Sequence, residues 1–93
     1  EIIKTARAEL DTALMAPEGE LYLFATENNI QGTYIFKISI REKGRVASVN
    51  IVERKEGEIK DQNRLKDAVM DYRFGFKMPK GRIYKFEYEF SFN

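Results

Sequence analysis

Apolar residues recur along this chain in two rhythms, one of threes and fours and one of twos. The first rhythm opens it: Ile3, Ala6, Leu10, Ala13 and Leu14 share a helical face, and Pro17 and Gly19 end the pattern. ELYLFAT, residues 20–26, is a short apolar run with aromatic content and predicts a strand. ENNIQG after it reads as a loop, since Asn and Gly tolerate turn conformations. In TYIFKISI, Tyr34, Phe36, Ile38 and Ile40 alternate with polar positions, with Ile35 interrupting the polar side. Glu42-Lys43-Gly44 predicts a turn in which Gly44 takes positive φ. A second strand then runs through Val46, Ala47, Val49, Ile51 and Val52, and the two form a β-hairpin.

RKEGEIKDQ is a polar connection. Leu65, Ala68, Val69 and Tyr72 follow at helical spacing, with Asp61 as the expected N-cap. After a turn at Pro79 and Gly81, YKFEYEFSF (residues 84–92) carries an aromatic at every second position. Tyr84, Phe86, Tyr88, Phe90 and Phe92 share one strand face; Lys85, Glu87, Glu89 and Ser91 share the other. Two amphipathic helices and strands with one apolar face each predict an α+β domain of order α-β-β-β-α-β. Its antiparallel sheet has three or four strands and both helices pack on one face. The aromatic row is then a wall of the core rather than a ligand platform, because exposing it would leave the helices little to pack against. Phe36, Ile38, Val49, Leu65, Val69, Phe86, Tyr88 and Phe90 should lead that core.

Composition narrows the function classes. Ninety-three residues make one domain, 1–93. The net charge of +1 gives no general attraction to nucleic acid. There is no Cys and no His. Disulfides, the usual zinc ligands and the Ser-His and Cys-His nucleophile pairs are therefore missing, and a non-enzymatic domain without cofactor or metal is expected. No apolar run approaches the roughly 20 residues that span a bilayer. The chain begins at Glu1, not Met, so an upstream segment is expected to have been removed.

From Gln31 to Asn93 the order of elements resembles the C-terminal domain of the TonB family of energy transducers. The resemblance rests on Gly32, the alternating TYIFKISI, Lys43-Gly44, the Val-rich RVASVNIV, the helix LKDAVMDYRF, Pro79 and the final YKFEYEFSF. It differs in carrying Tyr72 where the family usually has Trp, and in the additional strand expected at 20–26. The resemblance implies a periplasmic or cell-envelope module that recognises protein. Its last strand would pair with an extended segment of an outer-membrane receptor or another envelope protein. The implied contacts are Ile83, Lys85, Glu87, Glu89 and Ser91, with Tyr72, Arg73 and Phe74 fixing the corner before the strand. Membrane attachment would run through a segment outside this chain. The same edge would allow a self-dimer.

Residues 73–85 hold Arg73, Lys77, Lys80, Arg82 and Lys85 without an acid. They are either an anion contact, for phosphate, lipid headgroup or an acidic partner segment, or a solvated turn whose lysines discourage aggregation. RFGFK matches an RNA-recognition signature poorly, since Pro79 falls where the last aromatic belongs. Two other classes stay open: a small-ligand or nucleic-acid binder using the sheet face and the basic stretch, and a structural dimerisation domain. Glu53, Glu56, Glu58 and Asp61 are interleaved with cations, which opposes calcium binding.

Overall fold

The computed structural model describes residues 1–92; Asn93, the last residue of the resemblance, lies outside the described residues. Helix α1 spans Ile2–Ala13, α2 Glu20–Glu27 and α3 Ile59–Asp71; strands are β1 Gly32–Arg41, β2 Arg45–Lys55 and β3 Tyr84–Phe92. The sheet is antiparallel in the order β2-β1-β3. Of the described helices, α1 lies under β3, α3 under β2, and α2 touches both α1 and α3.

One expectation is corrected. ELYLFAT is the body of α2, not a strand, so the order is α-α-β-β-α-β, with three helices and three strands among the described residues. A short apolar run is ambiguous between the two periods; here the buried pair is Leu21 and Ala25, spaced i and i+4. The helix ends in a Schellman motif with Asn29 at φ +56°. The Ile30 N–H donates to the Ala25 carbonyl at 3.0 Å and the Asn29 N–H to that of Thr26 at 3.3 Å. The signal for this helix stop lay in Asn28-Asn29, which reads equally well as a plain turn.

The hairpin forms as expected, with Gly44 at φ +72°. A second reason for that glycine comes from elsewhere in the chain: a Cβ there would sit 2.0 Å from the Phe74 carbonyl oxygen. β2 carries two bulges against β1. Ser39 pairs with Ser48 and Ile40 with Val46, leaving Ala47 extra; Ile35 pairs with Glu53 and Phe36 with Ile51, leaving Val52 extra. The bulge at Ala47 keeps both Val46 and Val49 on the helix side, where both are buried.

Asp61 is not the N-cap of α3. Glu58 takes that place, and Asp61, one turn inside and buried, faces the Gln31 amide at 3.5 Å, beside the start of β1. The predicted core residues are all buried. Phe36 and Phe90, on neighbouring strands, meet with tilted rings 5.4 Å apart, and Phe90 meets Tyr88 edge-on at 4.8 Å. Full burial of such a side chain stabilises by about 1.5–3 kcal/mol. The aromatic row is a core wall.

Candidate functional site

β3 stands at the rim of the sheet. Its nine residues pair with Gly32–Ile40 without a register break, and among the described residues no strand lies on its other side. The expectation that an additional strand precedes the hairpin falls with the correction of 20–26, and no strand from that segment covers this edge. The Arg7 guanidinium of α1 donates to the Glu87 carbonyl, which marks that carbonyl as pointing away from β1. Backbone direction alternates along a strand, so Lys85, Glu89 and Ser91 turn their N–H and C=O groups the same way. Tyr84, Phe86, Tyr88, Phe90 and Phe92 direct theirs to β1.

The side chains of Lys85, Glu87, Glu89 and Ser91 are exposed. They line the open face of the sheet opposite Ser39, Lys37, Ile35 and Thr33. Thr33 and Ser91 hydroxyls lie 3.2 Å apart. This open face carries no aromatic ring among the paired residues of the three strands, so it offers no stacking platform for bases. Ile83, just before β3, is 60% exposed. An open cleft of about 420 Å³ adjoins the far end of β3, between Leu14, Tyr22, Thr26 and Phe92.

α1 holds β3 from beneath. Arg7 lies 5.4 Å from the centre of the Tyr88 ring, and the Tyr88 hydroxyl donates to the Asp11 carboxylate. Burial, then the Asp11 carboxylate, pushes the Tyr88 hydroxyl above the ordinary tyrosine range. Sequence reasoning missed Arg7 and Asp11. Arg7 sits between Ile3 and Leu14 on the rim of the apolar stripe, a position from which a long side chain can reach across the neighbouring element.

Glu9 was missed as well. It accepts from the Tyr72 hydroxyl at 2.7 Å and from the Gly75 N–H at 3.0 Å, and so fixes the corner after α3. Burial and Glu9 push the Tyr72 hydroxyl upward in turn. Tyr72 and Phe74 are buried and meet edge-on at 5.0 Å. Arg73 points outward and donates from Nε to the Lys43 carbonyl at 3.1 Å. These contacts tie residues 72–75 to α1 and to the hairpin turn. Of the expected anion contacts, Arg73 reaches the hairpin turn and Arg82 lies beside Ile83 in a shallow hollow; Lys77 and Lys80 are exposed on the intervening loop.

Residues 24–93 match the family described as Gram-negative bacterial TonB protein C-terminal. The chain belongs to the TonB C-terminal family. No match emerged among the curated proteins or the solved structures. TonB C-terminal domains are non-enzymatic, periplasmic protein-interaction modules of energy transduction in Gram-negative bacteria. Their partners are outer-membrane receptors and other envelope proteins. The α+β architecture, with helices on one face of a three-stranded antiparallel sheet, accords with that fold. Among the described residues no helix is long and apolar enough to cross a membrane.

Proposed function

We propose that this TonB C-terminal domain recruits an extended segment of an envelope protein by strand pairing along the outer edge of β3. The observation that carries the reading is a nine-residue strand at the sheet rim with an unbroken register on its inner side. Such an edge offers a regular row of backbone donors and acceptors to an incoming chain. Lys85, Glu87, Glu89 and Ser91 supply both the outward backbone groups and side chains of alternating character for selectivity. Ile83 offers an apolar contact where the partner strand enters. Arg7 occupies one acceptor, the Glu87 carbonyl, and an incoming N–H displaces it.

Proline at two adjacent positions tests this. Glu89→Pro removes an N–H that β1 does not use, a placement edge strands tolerate. Expected is a loss of at least about tenfold in affinity for an extended receptor peptide, read by titration calorimetry, with melting close to wild type. Tyr88→Pro removes an N–H that β1 does use and should unfold the domain. A Glu89→Pro protein that binds as tightly as wild type sinks strand pairing at this edge.

A further inference from the structure

A net charge of +1 conceals a segregation that only the folded chain creates. The hairpin turn comes beside the entry to β3, where Ile40 pairs with Tyr84. Three adjoining shallow hollows surround it, of about 220, 270 and 220 Å³. Six cations line them: Lys37, Arg41, Lys43, Arg45, Arg82 and Lys85. Arg73 joins the group through its bond to the Lys43 carbonyl and its β-bridge to Arg45. The one acid lining these hollows is Glu42. It is already engaged by Arg41 at 2.8 Å, which holds its carboxyl below the usual range. Glu87 stands across from Lys37 at the border of the patch. Glu53, Glu56 and Glu58 cluster at the opposite end of β2, about 30 Å away along the strands.

We infer that this hairpin end is a peripheral contact surface for anionic phospholipid headgroups. Three features favour a lipid surface over an acidic protein segment. Ile83, an exposed aliphatic, stands among the cations and lines two of the hollows, and Met78, packed against the core but partly exposed, lies between Lys77 and Lys80 on the same connection. Apolar side chains interleaved with Lys and Arg fit the headgroup boundary of a bilayer. The hollows are open and shallow, suited to many headgroups at once rather than to one seated ligand. A group of four to eight Lys and Arg is the size that binds anionic membranes measurably, each contributing about fivefold in affinity. Docked this way, the sheet stands on the bilayer by its hairpin end and β3 runs away from it with its outer edge free.

The test is sedimentation of the domain with vesicles of phosphatidylcholine alone and with one third phosphatidylglycerol. Expected is binding to the anionic vesicles only, falling steeply with salt. The pair Lys43→Glu/Arg82→Glu should weaken it at least tenfold. Lys55→Glu/Lys60→Glu, an equal charge change at the opposite end of β2, should weaken it less than threefold. The neutral pair Lys43→Gln/Arg82→Gln gives an intermediate loss, so a poorly folded reversal variant would not decide the matter. Ile83→Ser should weaken vesicle binding severalfold. Failure to bind anionic vesicles, or equal losses in the two charge pairs, overturns the inference. So does saturable binding of poly-glutamate or millimolar inorganic phosphate by a domain that ignores the vesicles.

Discussion

The sheet has two edges, and they are built differently. β3 presents nine residues in one unbroken register, with a single arginine from α1 on its outer side. β2 is longer, at 11 residues, yet it is broken by bulges at Ala47 and Val52. Its first residue is bridged by Arg73, and the Phe74 N–H donates to the Gly44 carbonyl at 2.8 Å. Bulges twist a strand and take its backbone groups out of line, so a straight incoming chain cannot follow it. Strand length therefore does not make β2 the better template for an added strand. Regularity favours β3, since both devices that spoil β2 leave β3 untouched.

The largest expected effect comes from removing what covers β2. Gly44→Val puts a β-branched side chain at positive φ against the Phe74 carbonyl. It should cost about 3 kcal/mol or more and release the corner at 72–75. Thermal unfolding with sedimentation velocity reads both consequences: a lowered midpoint and association through the uncovered edge. A monomer that melts like wild type would show that the 72–75 segment guards nothing.

Alkaline pH should loosen both sides, and two variants sort them. The Tyr72 and Tyr88 hydroxyls are held above the ordinary tyrosine value of about 10 in the folded state. The folded chain keeps those protons where the unfolded chain has lost them. Their contribution to stability is therefore complete below about pH 10 and declines as pH rises beyond it. Tyr72→Phe, on the β2 side, and Tyr88→Phe, beneath β3, should each flatten part of that decline in denaturant unfolding between pH 9 and 11. A slope unchanged in both variants would assign the alkaline loss to other groups.

The smallest effect is expected at Arg7. Arg7→Ala should change stability by less than about 1 kcal/mol, since the contact is exposed. It should tighten binding of a receptor peptide about two- to fivefold by freeing the Glu87 carbonyl. Weaker binding would instead make Arg7 part of the recognition surface.

Much of the architecture was legible because it rests on local spacing. α1, the hairpin, α3 and the aromatic strand all follow from apolar periodicity, and so does the burial of Phe86, Tyr88 and Phe90. The run at 20–26 was not, because Leu21 and Ala25 satisfy a helical face while Leu21, Leu23 and Ala25 satisfy a strand face. Only packing between α1 and α3 separates these two readings. The placement of Asp61 also escaped, since a carboxylate three residues into a helix and one at its cap look alike until the partner amide, Gln31, is known.

For the candidate edge, the alternation in YKFEYEFSF determined by itself which residues face the core and which face solvent. It could not say whether β3 lies at the rim or the centre of the sheet, because strand order depends on long-range pairing between segments some fifty residues apart. The same holds for Arg7, Glu9 and Asp11, ordinary charges of a helix surface until α1 is laid under β3. It holds too for the cations of the hairpin, which the chain scatters over nearly fifty positions. Hydrophobic period is a property of neighbours and is written along the chain; edges, caps and charge patches are properties of segments brought together, and only the packed sheet decides them.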